Sequence, residues 1–324
     1  MLNRLRCIPG LLVSENVPLA SCTRFAIGGP AWALADASTE AALAAALRVL
    51  RASETTYTVI GGGSNLIASD EGFPGVVLRY TNATIEFGPS SEAAKTVRVR
   101  AAAGALLQDL VDRAIKAGLA GIETLTGIPG WVGGAIYGNA GAYGHSMHER
   151  VIGVRYLNAA HASSGPRALD NVACEFRYRD SVFKREKDWI VLEAELELDR
   201  GSAEDLARTA AGIRQIRDEK YPPTMRCAGS IFKNLLLAEL PEPVRAQVSA
   251  GVIREGKVPA AYFLDQAGAK GLARGGVKVA SYHANLIYNE GGGTASDLRK
   301  LIAELQRRVA ERFGIVLEEE VQHI

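Results

Sequence analysis

The sequence contains no Cys-x-x-Cys pair, and its four cysteines, Cys7, Cys22, Cys174 and Cys227, are scattered along the chain. That spacing argues against zinc and for reduced thiols in a cytoplasmic protein, so no metal site is expected. A charge bias is missing too: 37 basic residues against 36 acidic ones leave a net charge of +1. No global field draws the chain to nucleic acid or to an anionic membrane, and any phosphate must be met by local basic groups. No apolar run is long enough to span a bilayer, and Ile8-Pro9-Gly10-Leu11-Leu12-Val13 is too short and too broken for a signal peptide. Two nucleotide signatures are absent. No Gly-x-Gly-x-x-Gly opens a helix, because Leu66 stands where the third glycine would, and no Gly-Lys-Ser/Thr follows a glycine loop. This argues against a Rossmann dinucleotide site and against a P-loop. Gly-x-Ser-x-Gly is also missing, which weakens any Ser–His–acid triad of Ser230 and His283 and leaves the Ser230 hydroxyl available as a proton donor.

Glycine, by contrast, is plentiful. The stretch from Gly127 to Gly144 carries no charge and has too many glycines for a helix or a strand. Such a backbone suits close approach to a ligand with N–H groups aimed at it. A shorter loop, Gly61-Gly62-Gly63-Ser64-Asn65, stands upstream. The shorter loop alone fits a tight structural turn equally well. Together the two loops point to a large anionic cofactor carrying a pyrophosphate.

With 324 residues, more than one core is expected. Hydrophobic periodicity predicts a helix from Thr39, as cap, to Leu50, and strands at Tyr57 to Ile60, Val76 to Arg79 and Thr96 to Arg100. After Gly104, Leu107, Leu110, Val111, Ala114 and Ile115 share one helical face, ended by Gly118. Val151 to Leu157 is a further strand, and Ile190 to Leu198 alternates apolar residues with glutamates, as an antiparallel strand with one wet face does. Ala203 to Ile216 is a helix stopped by Pro222 and Pro223. Thr294 and Asp297 form a capping box before the stripe Leu298, Leu301, Ile302, Leu305, Val309, which Gly314 closes. In the acidic tail, Leu317 and Val321 flank three glutamates in a strand-like pattern that can hold one of them inward. The class is α+β.

Several blocks resemble, in order and across nearly the whole chain, the UDP-N-acetylenolpyruvoylglucosamine reductase family. They are Thr23-Arg24-Phe25-Ala26-Ile27-Gly28-Gly29, the two glycine loops, Tyr178-Arg179-Asp180-Ser181-Val182-Phe183-Lys184, Ala228-Gly229-Ser230-Ile231-Phe232-Lys233-Asn234, Asp265-Gln266-Ala267-Gly268 with Lys270-Gly271, His283-Ala284-Asn285, and Leu317-Glu318-Glu319-Glu320-Val321. The short stretch between Lys184 and Arg217 resembles the subgroup without the inserted tyrosine loop. Two departures stand out: Leu235 where the family usually has Pro, and Gln322 where a basic residue is common.

The resemblance implies a two-subdomain FAD-binding fold of the vanillyl-alcohol-oxidase (PCMH) type and a C-terminal α+β substrate-binding domain. The implied limits are an N-terminal segment 1–20, an FAD domain 21–200 (about 21–85 and 86–200), a substrate domain 201–314 and a tail 315–324 that joins the active site. It implies reduction of UDP-N-acetylglucosamine enolpyruvate by NADPH through non-covalent FAD, in a monomer, for peptidoglycan synthesis. The cofactor would be held by Gly61, Gly62, Gly63, Ser64, Asn65, Gly127, Ile128, Pro129, Gly130, Gly133, Gly134, Asn139, Gly141, Ala142 and Tyr143. By the same resemblance Arg179 meets the carboxylate on which negative charge builds, Ser230 protonates C2, and Glu320 orients the enolate. Tyr178, Lys220, Lys233, Asn234 and His283 would contact substrate. His145, next to the second loop, is the histidine placed for a covalent flavin link, which the loops themselves do not suggest. Two rival readings remain. A flavin oxidase on the same fold is opposed by the Tyr-Arg-Asp-Ser and Ala-Gly-Ser blocks, and a flavin-free nucleotide-sugar-binding protein by the intact glycine loops.

Overall fold

The structure, a computed structural model, describes residues 1–89 and 94–324. The chain divides into two compact units: Met1–Val17, Ala31–Gly62 and Pro74–Glu219 form the first, and Pro18–Pro30, Gly63–Phe73 and Lys220–Ile324 the second.

Two larger sheets lie in the first unit. One orders its strands Leu11–Pro18, Pro30–Ala37, Phe73–Tyr80, Tyr57–Val59, the last two being parallel. Helix Glu40–Ala52 buries Leu43, Ala46, Leu47 and Leu50, and the Thr39 side chain accepts the Ala42 N–H at 3.1 Å, which satisfies one of the orphan donors of its first turn. The other sheet is antiparallel. Trp189–Arg200 runs at its centre between Val151–Asn158 and Thr96–Ala102, with Ala194 opposite Val154 on one side and Ala101 on the other. Its alternation is as expected: Leu192, Ala194, Leu196 and Leu198 are fully buried, while Glu193, Glu195 and Glu197 are only half-buried. Helix Leu107–Lys116 buries the expected stripe, and Gly118 beyond its end takes φ +66°. Helix Ala203–Lys220 runs four residues past the expected Ile216. It puts Leu206 and Ala210 into the first core, which is why this unit continues to Glu219 rather than ending near residue 200.

In the second unit, helix Ala295–Phe313 lays Leu298, Leu301, Ile302, Leu305 and Val309 against Phe232, Phe263, Leu264, Leu317 and Val321. The Thr294 hydroxyl accepts the Asp297 N–H at 3.0 Å, but the reciprocal half of the expected box is replaced: the Asp297 carboxylate takes the Thr294 hydroxyl itself at 2.9 Å. Two early segments belong here because specific polar groups hold them. Asp70 accepts the Ala295 and Ser296 N–H groups at 2.6 and 2.8 Å, and Asn289 Nδ2 donates to Phe25 O and Ala26 O at 3.2 and 3.3 Å. Strand Leu66–Ile67 pairs in parallel with Gln322–His323 at the end of the chain. Leu235, at the position where a Pro was expected, enters a short strand that pairs with Lys257–Val258.

Candidate functional site

The glycine-rich stretch contains more order than its composition suggests. Residues Val132–Tyr137 form a short helix, and Gly141–Ala142 pairs with His145–Ser146. The expectation of neither helix nor strand from Gly127 to Gly144 is therefore corrected. Close packing is the physical reason at two positions. A Cβ on Gly133 would sit 2.8 Å from the Ala103 methyl, and one on Gly141 would sit 2.5 Å from His145 O. At Gly134 the case is reversed: a Cβ there would meet nothing within 4 Å, and at Gly61 only Gly134 N, at 3.9 Å. Neither of these glycines is required by a positive φ or by local crowding. Gly127 and Gly130 do take positive φ, +77° and +114°. Ile128 is half-buried, Pro129 exposed, Ala142 half-buried and Tyr143 exposed with φ +54°.

Asn139, buried with φ +42°, spends its side chain within the protein: Nδ2 donates to Arg177 O at 2.9 Å and Oδ1 accepts the His148 N–H at 3.1 Å. His145 Nδ1 lies 2.8 Å from Glu149 Oε2.

That Asn139 contact links the second glycine loop to the Tyr178-Arg179 block, which the sequence presents as separate. Arg177 and Asp180 exchange backbone hydrogen bonds (3.0 and 3.2 Å), making a two-residue elbow with Tyr178 and Arg179 at its tip. Arg179 takes φ +56°, the left-handed region that a residue bearing a Cβ adopts only at a cost of about 1 kcal/mol or more. The surroundings hold it there. Buried Ser181 donates its hydroxyl to Tyr137 O at 2.8 Å, and Lys184 Nζ donates to Arg179 O at 3.1 Å. The Arg179 guanidinium carbon lies 5.3 Å from the Tyr178 ring centroid. A strained residue fixed by its neighbours at the tip of a turn is the pattern of a functional side chain.

In the second unit, Gly63, Ser64 and Asn65 complete the first loop. Gly63 has φ +63°, and a Cβ there would fall 1.8 Å from Cys22 O. Ser230 and Glu320, far apart in sequence, are neighbours in this unit. Ser230 pairs with Leu286 in an isolated bridge, Phe232 with Glu319, and the Glu320 N–H donates to Ile231 O at 2.7 Å. Asn285 clamps the Ser230 segment: its Oδ1 accepts the Phe232 N–H and its Nδ2 donates to Phe232 O, at 2.9 and 2.8 Å. The Tyr221 hydroxyl lies 3.5 Å from Ser230 Oγ. Sequence reasoning passed over Tyr221; its position between the end of a helix and two prolines carried no chemical signal.

Lys233 forms an ion pair with Glu318, and Asn234 Oδ1 accepts the Ala260 N–H at 3.3 Å, so both are partly committed to the fold. Lys220 Nζ sits 5.1 Å from the Tyr221 ring centroid. His283 is pushed down to about 4 by burial, helped by the charge of Lys220 and more weakly of Lys270, and its Nδ1 is buried without a hydrogen-bond partner among the described residues. It lines a cleft of about 330 Å³ with Arg254, Tyr262, Lys270 and Tyr282. Lys270, within a block already singled out, was not expected to touch substrate. Asp265 also lines the cleft and pairs with Lys270 at 2.8 Å; the Arg254 and Lys270 cations beside tyrosine rings and a neutral imidazole suit a phosphate-bearing heterocycle.

Residues 32–161 match the FAD binding domain family, and residues 221–324 match the family described as UDP-N-acetylenolpyruvoylglucosamine reductase, C-terminal domain. The chain is 56% identical over 321 residues to the UDP-N-acetylenolpyruvoylglucosamine reductase of Solibacter usitatus, covering 99% of both chains. It is 33% identical over 312 residues to that of Bacillus subtilis, covering 96% of this chain and 94% of the other. The crystal structure of the Thermus caldophilus UDP-N-acetylenolpyruvylglucosamine reductase superposes with a TM-score of 0.72 at 30% identity, covering 97% of this chain and 99% of that one.

Proposed function

The chain belongs to the UDP-N-acetylenolpyruvoylglucosamine reductase family, and on that premise we propose that it reduces UDP-N-acetylglucosamine enolpyruvate to UDP-N-acetylmuramate with NADPH in peptidoglycan synthesis. Its fold is the FAD-binding fold of the vanillyl-alcohol-oxidase (PCMH) type joined to the reductase C-terminal domain. The chain's own residues fit the cofactor. Gly61 and Gly134 leave room that no neighbour fills, and Asn65 Oδ1 is a buried acceptor without a partner among the described residues, suited to an N–H or hydroxyl of the cofactor. Bound FAD supplies the hydride carrier between NADPH and the enolpyruvyl group.

The side chains supply the rest. Arg179, preset by its elbow, offers a planar fork to the substrate carboxylate and stabilises charge that builds there as hydride arrives at the vinyl carbon. Ser230 donates a proton to C2. A serine hydroxyl is a poor acid, and the Tyr221 hydroxyl beside it is the donor that can refill it. Glu320 orients the enolate from the opposite strand of the same small array. Arg254 and Lys270 line one cleft with Tyr262 and His283 and would meet the diphosphate and nucleotide there, with Lys220 and Lys233 as further cations of the same unit. The enzyme works as a monomer in the cytoplasm, where its four free thiols stay reduced.

The observation that carries this reading is the backbone bond from Glu320 to Ile231, which brings the acidic tail beside Ser230. The test is spectroscopic and kinetic. Purified protein should be yellow, and it should oxidise NADPH in quantity only when the enolpyruvyl sugar is supplied. Ser230→Ala should still bleach with NADPH but lose turnover by about a hundredfold or more. Full turnover in that variant would remove Ser230 from the reaction. Rapid bleaching and reoxidation by oxygen, with no response to the sugar, would point to an oxidase instead.

A further inference from the structure

We propose that Asn65 is a positioning residue for Glu320: its side-chain amide ties the glycine loop to the C-terminal strand and so couples cofactor binding to the placement of the carboxylate. The inference rests on the role given to Glu320 above. Every contact in it lies within the second unit. Asn65 Nδ2 donates to Glu320 O at 2.9 Å, and Asn65 O accepts the Gln322 N–H at 3.0 Å. Glu320 is thus fixed at both backbone groups, its N–H by Ile231 and its carbonyl by Asn65 at 2.9 Å, with a longer contact from Gln322 Nε2 at 3.4 Å, which sets the direction in which its side chain leaves the backbone. Beyond it the tail pairs Gln322 with Leu66 and His323 with Ile67, and closes with Ile324 N–H to Ile67 O (3.1 Å) and Ser69 N–H to Ile324 O (2.9 Å).

A two-pair parallel ladder is marginal by itself, so the side-chain bond at its head matters to whether it stays docked. The other end of the same amide is the buried Oδ1 that has no partner among the described residues. An amide with one end committed and the other waiting for a donor is poised to be completed by the cofactor held in its loop. Once both ends are bonded, the rotamer is locked and the Glu320 carbonyl with it.

Two variants of the full chain test this: Asn65→Leu, which keeps size and removes the amide, and Gln322→Pro, which removes the N–H that pairs with Asn65 O and leaves the Asn65 side chain in place. Amide hydrogen exchange of residues 318–324 is followed with and without FAD, together with kcat and KM for the enolpyruvyl sugar. FAD should slow exchange of the tail in the unaltered protein. Both variants should exchange there about tenfold faster, and each should lose about tenfold in kcat at saturating FAD with little change in KM. Tail exchange that ignores FAD, or that is unaltered by Asn65→Leu, overturns the coupling. Unaltered kcat in Asn65→Leu at saturating FAD overturns the positioning role. If the unaltered protein fails to turn over the sugar, the functional reading falls by itself, and the exchange measurement still decides whether Asn65 couples cofactor to tail.

Discussion

His283 gives the protein an acid-side weakness whose size follows from its surroundings. The imidazole sits at about 4 in the fold against 6.5 when free, because burial and then the Lys220 charge disfavour the proton. The sign follows directly. Above about pH 7 neither folded nor unfolded chain protonates it, and it contributes nothing. As pH falls through 6.5 the unfolded chain takes up a proton that the fold refuses, so stability is lost progressively until about pH 4, where the folded form also protonates. At about 1.4 kcal/mol per pH unit the full loss is about 3 kcal/mol, of which about 2 kcal/mol is already incurred at about pH 5. The readout is a difference between variants, which cancels the rest of the acid response. Urea unfolding of wild type and of His283→Gln, at about pH 8 and about pH 5 with FAD held constant, should show curves that converge in acid by about 2 kcal/mol. Lys220→Gln, which takes away a neighbouring charge, should shrink the wild-type loss. Parallel curves for wild type and His283→Gln would refute the reasoning. The same burial keeps the imidazole neutral at ordinary assay pH, so any contact it makes with a ligand is that of a neutral donor or acceptor.

Three other outcomes are expected. Gly134→Leu should leave folding of the apoprotein intact, or stabilise it by about 0.5–1 kcal/mol, since a Cβ there meets nothing within 4 Å, while weakening FAD binding in a fluorescence titration; unaltered FAD affinity would show that the gap is not cofactor space. Arg179→Gly should be more stable to urea than Arg179→Ala by about 1 kcal/mol, because only glycine accepts φ +56° freely, although both should lose turnover; Arg179→Lys with full turnover would refute the forked carboxylate contact. Asp70→Ala should cost about 1–2 kcal/mol in urea unfolding by stripping the acceptor from the first turn of Ala295–Phe313, and Asp70→Asn should cost less; no loss in either would show that the cap is dispensable.

Which parts of the molecule were legible in its sequence depended on whether the relevant force is local. The stripes of Leu107–Lys116 and Ala295–Phe313 and the alternation of Trp189–Arg200 repeat every few residues, so periodicity alone places them. The helix Val132–Tyr137 was not legible, because its glycines argue against a helix; packing against Ala103 outweighs that propensity. The elbow at Arg179 could be quoted as a block, but its left-handed backbone and its anchors to Tyr137 and Asn139 arise from the tertiary fold. The tail is the extreme case. Leu317 and Val321 are buried as their spacing suggests, yet the direction of Glu320 is set by partners from Ile231 and Asn65, residues no local pattern joins to it. Acidic residues at the end of a chain ordinarily form a solvated face, and composition alone would leave them there. What lifts Glu320 out of that class is bonding of its backbone to Ile231 and Asn65, with Gln322–His323 beyond it paired in parallel to Leu66–Ile67, interactions with no short-range signature. A residue whose N–H is bonded to Ile231 and whose carbonyl is bonded to Asn65 is exposed to changes in the strand that follows it, and Gln322 and Ile324 are where such changes act first.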